Sequence, residues 1–438
     1  MTSPMLYRST RGQSPDVTAD TALRAGAAPD GGLYLPETLP RFDSQDFGGT
    51  RGLGDLGGRL LQPFFAGSPL EPAIPDICQD AFDFPAPRIR PGGHDAGPEV
   101  LELFHGPTGA FKDFGARFLF RCFSALGQSE DAPITVLVAT SGDTGGAVGC
   151  AAEGVPGVRA VILFPKGRIS AFQEHQLCCW KPPVSAVRVD GDFDACQAMV
   201  KAAFADPALS GQHKLTSANS ISIGRLLPQM VYWSRAALDV YRQTGEKPGL
   251  VVPTGNLGNA FAAILARACG LPIGPVVLAT NANTTLSDWF ASGRYEARPS
   301  LATIANAMDV GAPSNFERLA GFEDGDIAGV ARIDDDTIRS RMRTCFDETG
   351  YVACPHTATG LEAHARLPEA ERKARPWLVA ATAHPGKFAD IVEPVIGRKV
   401  DLPPALAGVL ERPVRVSDIA DSLDALKAQL EAPAAAGV

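Results

Sequence analysis

The sequence predicts an α/β protein whose parallel sheets are covered by helices on both faces. Three observations carry this. Six short apolar runs rich in β-branched residues recur along the chain: ITVLVAT (134–140), RAVILFP (159–165), VSAVRVD (184–190), GLVVPT (249–254), PVVLAT (275–280) and WLVAATA (377–383). Helix-like stretches separate them, so each run is a buried strand of a βαβ series. Glycine-rich turns, SGDTGG and GNLGN, follow two of the runs.

In chain order, residues 1 to 84 are mixed. GGLYLPETLP reads as a short extended piece, and Leu60, Leu61 and Phe65 as the core of a short helix. The Pro- and Gly-rich segment 84–100 is a connection, followed by a short strand at 100–104. HGPTGAFKDFGARF (105–118) is a tight turn running into a helix. A helix is expected to start at AVGCAAE, after the SGDTGG turn. GDFDACQAMVKAAFAD (191–206) is an amphipathic helix with acidic residues at its front, where the helix dipole favours them. AFAAILARACG is a helix closed by Gly270. VSDIADSLDALKAQL is expected to be one helix capped by Ser417, with Ile419, Leu423, Leu426 and Leu430 on one face and a frayed tail after it.

Composition narrows the class. Of 438 residues, 45% are hydrophobic and 20% charged, which is globular. The net charge of −9, with no basic block, disfavours nucleic acid and anionic membranes as partners. The segment MTSPMLYRSTRG has no apolar signal core, and no apolar run reaches membrane-spanning length. Nine scattered cysteines, an odd number without C-x-x-C spacing, point to reduced thiols in a cytoplasm. The seven histidines show no ligand spacing, so no metal site is expected.

Five places can carry chemistry. Each glycine-rich turn presents unpaired backbone N–H groups at a helix start, which suits phosphate or carboxylate. Neither spells a dinucleotide fingerprint, and no P-loop occurs. In SANSISIGRLLPQ (217–229), Asn219 and Ser220 offer neutral donors, and Arg225 a planar fork near a helix start at Pro228. Thr382, in TAHPGKF, ends a buried strand, where open α/β sheets bind ligands. Lys112 sits between Phe111 and Phe114. Taken alone such a lysine more often snorkels to water. Beside anion-binding turns it suits a cofactor with a phosphate and an aldehyde, namely pyridoxal phosphate. A helix start and apolar neighbours should lower its pKa.

The chain resembles the threonine synthases of the longer bacterial and fungal branch, which are fold-type-II pyridoxal-phosphate enzymes. The resemblance rests on segments in order: APDGGLYLPE, ELFHGPTGAFKDFGARF, ATSGDTGGA, VILFPKGRIS, VDGDFDACQAMV, SANSISIGRLLPQ, PTGNLGNAFA, NAMDVGAPSNFERL and TAHPGKF. It implies a tryptophan synthase β-like fold with two parallel-sheet domains and an N-terminal extension. Residues 1–84 would be that extension. Residues 96–400 would be the catalytic region, with about 120–215 as its smaller lobe, and 401–438 a terminal helix and tail.

The same resemblance implies roles. Lys112 would hold pyridoxal 5′-phosphate as a Schiff base and shuttle protons. Gly255, Asn256, Leu257, Gly258 and Asn259 would cradle the cofactor phosphate, and Thr382 would hydrogen-bond the pyridine nitrogen. Ser141, Gly142, Asp143 and Thr144 would hold the substrate carboxylate. Asn219, Ser220 and Arg225 would bind the substrate phosphate. The implied reaction converts O-phospho-L-homoserine and water to L-threonine and phosphate by γ-elimination and β-addition of water, the last step of threonine biosynthesis. The implied protein is a cytoplasmic lyase, a monomer or homodimer. Leu257 stands where phenylalanine is more usual, and the phosphate loop is expected to survive it. Gly109 stands where leucine is common, and is expected to loosen the turn before Lys112. The alternatives are a related threonine or serine dehydratase, or a non-catalytic binding protein of the same family.

Overall fold

Two parallel sheets organise the chain, seen here in a computed structural model that describes residues 4–93, 97–127, 133–140, 142–167, 169–322 and 327–432. The five-stranded sheet runs Ser417–Ala420, Val184–Asp190, Val158–Pro165, Ile134–Ala139, Leu215–Thr216, all parallel. The six-stranded sheet runs Gly329–Arg332, Val276–Thr280, Gly249–Pro253, Trp377–Ala381, Glu99–Glu102, Arg88–Ile89. Its strands are parallel except for Arg88–Ile89, which is antiparallel at one edge. All six expected strands form within a residue or two of their sequence bounds.

The continuous apolar runs are explained by burial on both faces. In the five-stranded sheet, Leu137, Val161, Leu163, Val187 and Val189 face the helices Phe193–Ala205 and Leu423–Glu431 through Met199, Val200, Leu426 and Leu430. Their alternate neighbours Val136, Val138 and Ile162 face the helices Lys112–Gly127 and Asp143–Ala152. In the six-stranded sheet, Leu250, Val252 and Leu278 pack with Phe261 and Leu265 of Gly258–Ala268. Val251, Val277 and Val379 pack on the other side with Ile338, Met342 and Ala358.

The N-terminal segment adds a small antiparallel sheet, Val17–Thr18, Leu6–Ser9, Tyr34–Pro36, and the helix Leu53–Leu61, which tightens into a 3₁₀ turn at Gln62–Phe65. Its Tyr7, Tyr34, Phe47, Phe64 and Phe65 are fully buried in the same apolar cluster as Phe118 and Phe123. Phe65 and Phe118 rings lie 5.9 Å apart.

The terminal helix is shorter than expected. Ser417 does not cap a helix; Ser417–Ala420 is a strand beside Val187 to Asp190, held there by Arg188 Nε and Nη2 on Asp418 at 2.7 and 2.8 Å. The helix begins at Leu423 and is capped by Ser422, whose hydroxyl accepts from Ala425 N. The apolar spacing misled because Ile419 packs from the strand onto the same cluster that Leu426 and Leu430 fill from the helix. Among the described residues no helix is long and apolar enough to cross a membrane.

Candidate active site

Lys112 opens the helix Lys112–Gly127, and the turn before it is tightly fixed. Thr108 donates to Asp113 from its N–H and hydroxyl, at 2.9 and 2.6 Å. Gly109 has φ +66, the left-handed region that glycine enters freely, and its O accepts from His384 N at 2.9 Å. Phe111 N donates to Thr382 O at 2.9 Å, so the end of strand Trp377–Ala381 pins the residue before Lys112. The turn expected to be loosened by Gly109 is thus bonded at both sides of that glycine.

The Lys112 side chain is half-buried, and its Nζ lies 5.5 Å from the Phe111 ring centroid. Burial lowers its pKa; Asp143 opposes that, and Arg225 and Lys387 add to it. The direction is the one that the apolar neighbours in the sequence suggest. These four charged groups come from four separate stretches of chain and lie close enough to act on one another.

Asp143 begins the helix Asp143–Ala152, earlier than the expected start at AVGCAAE, so Asp143 and Thr144 lie in its first turn. Its Oδ1 pairs with Lys387 Nζ at 2.9 Å and accepts from Gln173 Nε2 at 3.3 Å. Burial would raise its pKa, but Lys387 and Lys112 together hold it well below the usual carboxylate range. The Asp143 side chain is therefore committed inside the protein, and what this turn offers an anion is backbone N–H. Gly142 precedes it, and Ser141 lies outside the described residues.

The two remaining loops are joined. Leu257, at φ +63, reverses the chain into helix Gly258–Ala268 and buries its side chain. The N–H groups that start this helix have no intrahelical acceptor. Asn256 Nδ2 donates to Ser220 Oγ at 2.5 Å, and Asn315 Nδ2 donates to Asn256 O at 2.9 Å and Ser220 O at 3.3 Å. Gly255 lies so close under Met308 that a Cβ there would meet its Cα at 2.8 Å. Asn259 accepts from Tyr232 and Trp233 through Oδ1, while its Nδ2 is buried with no partner among the described residues. Arg225 donates Nη1 to Ala218 O at 2.7 Å, and its buried Nε likewise has no partner among the described residues. Burial lowers the Arg225 pKa to about 10, so it remains a cation at neutral pH. Two orphaned donors, on Asn259 and Arg225, and an open helix start on the same pair of loops fit a group carrying phosphate.

Lys112 and Thr382 are thus brought together through the Phe111–Thr382 bond, Asn256 and Ser220 through theirs, and Asp143 and Arg225 through their shared influence on Lys112. Thr144 and Asn219 are half-buried in their turns, with no side-chain hydrogen bond among the described residues. Sequence reasoning passed over Lys387, Asp113, Asn315 and Arg318. Lys387 had one signal: like Lys112, it is a lysine beside a phenylalanine just after a glycine-containing turn.

The comparisons with known proteins agree with this geometry. The family described as "Pyridoxal-phosphate dependent enzyme" matches residues 100–382, "Threonine synthase N terminus" matches 6–82, and "Threonine synthase, C-terminal" matches 357–430. The threonine synthase of Serratia marcescens is 38% identical over 90% of this chain and 91% of its own. That of Escherichia coli is 37% identical over 93% and 94%. Among solved structures, threonine synthase from Escherichia coli superposes with a TM-score of 0.87 at 35% identity over 97% of this chain and 99% of its own. The pyridoxal-phosphate-bound threonine synthase from Brucella melitensis gives 0.89 at 32% identity over 97% and 98%. Maize serine racemase, at 19% identity and a TM-score of 0.53, shares the fold over 68% of this chain and 87% of its own. With lysine, loops and sheets arranged as described, the chain belongs to the threonine synthase family of fold-type-II pyridoxal-phosphate enzymes.

Proposed function

We infer that the chain is a threonine synthase, converting O-phospho-L-homoserine and water to L-threonine and phosphate with pyridoxal 5′-phosphate as cofactor. The observation that carries this reading is the Asn256–Ser220 bond, which sets the two loops suited to anions directly beside each other. A dehydratase of the same fold needs one phosphate loop; a substrate with its own phosphate needs two.

Pyridoxal phosphate, when bound, supplies the electron sink that lets a proton leave the carbon beside the substrate amine. Lys112 Nζ, whose pKa burial and the neighbouring cations lower, would hold the cofactor covalently and then accept and return that proton. Gly255, Asn256, Leu257, Gly258 and Asn259 would hold the cofactor phosphate by backbone N–H groups and the free Asn259 amide. The Thr382 hydroxyl would meet the ring nitrogen. Backbone N–H groups from Ser141 to Thr144 would hold the substrate carboxylate. Asn219, Ser220 and Arg225 would hold the substrate phosphate, with the spare Arg225 donors making charge-assisted bonds. We place the divisions at 1–84, 96–400 and 401–438. The protein would work in the cytoplasm as a monomer or homodimer, in keeping with nine unpaired cysteines.

The test is phosphate release from O-phospho-L-homoserine, with L-serine and L-threonine as rival substrates. Wild type should release phosphate and Lys112→Ala should not. Turnover of serine or threonine in preference to the phosphate ester would overturn the assignment.

A further inference from the structure

Lys387 has no place in the roles above, yet it is a fully buried lysine within electrostatic reach of Lys112. It sits in the short turn Pro385–Phe388, five residues after Thr382. Each of its three N–H donors has an acceptor: Asp143 Oδ1 at 2.9 Å, Thr108 O at 2.7 Å and Gln176 Oε1 at 2.7 Å. Asp143 and Gln176 stand on helices that flank the five-stranded sheet, whereas Lys387 follows a strand of the six-stranded one. One ammonium therefore bridges the two walls of the cleft. Gln176 Nε2 also donates to Thr108 O at 3.1 Å, and Gln173 to Asp143, so both acceptors have fixed positions. Thr108 in turn orients Asp113, the residue after Lys112.

Resting on the reading of Lys112 as the cofactor-binding amine, we propose that Lys387 is a positioning residue for it. The Lys387 ammonium, seated on Asp143, Gln176 and Thr108, locks the two walls together and stands as a fixed positive charge facing the Lys112 amine. A buried ammonium needs partners to offset its lost hydration, and here all three donors have one. The groups facing Lys112 are of both signs. Lys387 and Arg225 oppose a proton there, and Asp143 favours one. His356, fully buried near Asp143 and Lys112, is held neutral with a pKa of about 4, and Asp113 faces Lys387 and Arg225. Removing Lys387 or Asp143 should therefore shift the lysine in opposite directions, which loss of packing alone would not do.

The experiment is a titration of the visible absorption of the cofactor-loaded enzyme over roughly pH 5 to 10. Lys387→Met should raise the midpoint by about one unit, a tenfold change in proton affinity, and Asp143→Asn should lower it. Lys387→Arg, which keeps the charge, should stay near wild type. Midpoints of Lys387→Met and Asp143→Asn moving the same way, or an unmoved Lys387→Met, overturn the proposal. If Lys387→Met does not fold, Lys387→Gln is titrated in its place, and a raised or unmoved Asp143→Asn midpoint is by itself sufficient to reject it. A wild type with no visible band would sink the Lys112 reading, and this proposal with it; a normal wild-type band with same-direction shifts sinks this proposal alone.

Discussion

The guanidinium of Arg318 donates twice to the carbonyl oxygen of Tyr34, from Nε at 3.1 Å and Nη2 at 3.0 Å. Nη2 also reaches Ile221 O at 2.7 Å, and Nη1 reaches Asn315 Oδ1. This fully buried side chain thereby ties the N-terminal sheet to the loops that carry Ser220 and Asn256. Glu317 repeats the link at the surface through Arg11 and Thr10.

Arg318→Gln should therefore be felt in binding as well as in stability. Four hydrogen bonds around a desolvated charge are removed or weakened, so unfolding free energy should fall by about 3 kcal/mol. The KM for O-phospho-L-homoserine should rise by about tenfold, because Ile221 adjoins Ser220 and Asn315 holds Asn256. Denaturant melts and steady-state kinetics check the two parts. A variant with lowered stability and an unchanged KM would show that the clamp does not reach the site.

Gly115 makes room for Arg225. A Cβ at 115 would meet Arg225 Nε and O at 2.8 Å each. Gly115→Ala should push the guanidinium aside and raise KM for the phosphorylated substrate by about tenfold, roughly the worth of one charge-assisted bond. The visible spectrum of the bound cofactor should hardly change. Equal loss of spectrum and KM would mean that the helix carrying Lys112 had moved as a whole.

Gly109→Ala meets two obstacles. Its φ of +66 disfavours a Cβ, and that Cβ would come within 2.7 Å of Leu406 Cδ1. Together these should destabilise the protein by about 2 kcal/mol. The double variant Gly109→Ala with Leu406→Ala should lose less than the sum of the two single variants, because the clash disappears and only the backbone strain remains. Thermal melts of the four proteins settle whether the coupling exists.

Acid should unfold the protein through its histidines. Burial first of all depresses the pKa of His356, His364 and His384 to about 4 each, from an ordinary 6.5. The folded state then binds fewer protons than the unfolded chain between those values. Stability is full above about pH 6.5 and is lost as pH falls towards 4. Asp113 acts in the opposite sense, since burial raises its pKa to about 6 and its contribution grows as pH falls. Three groups outweigh one, so a net loss on the order of a few kcal/mol is expected between about pH 7 and pH 4.5. His356→Gln, which can still accept from Ala307 N as Nε2 does at 3.2 Å, should flatten the curve. An unchanged slope in that variant would remove His356 from the account.

The strands were legible because burial on both faces leaves a nearly unbroken apolar run, as at 134–139 and 249–253. Lys112 alone reads as a lysine that snorkels to water, and it stood out only through the company of glycine-rich turns and the run of family-like segments around it. Lys387 and Arg318 were not legible, since charged residues are mostly exposed and only tertiary partners distant in sequence reveal otherwise. Arg318 lies on a five-residue helix with nothing local to distinguish it from a surface arginine. The end of the chain misread for another reason: one apolar face was assembled from a strand and a helix, and periodicity alone runs through the turn between them.

The interleaving of Tyr7, Phe47, Phe64 and Phe65 with Phe118 and Phe123 also limits what surgery on this protein can achieve. Cutting the first eighty residues away would not liberate a smaller working enzyme. It would strip the rear of the very helix that begins with Lys112 and expose a slab of aromatic surface prone to self-association.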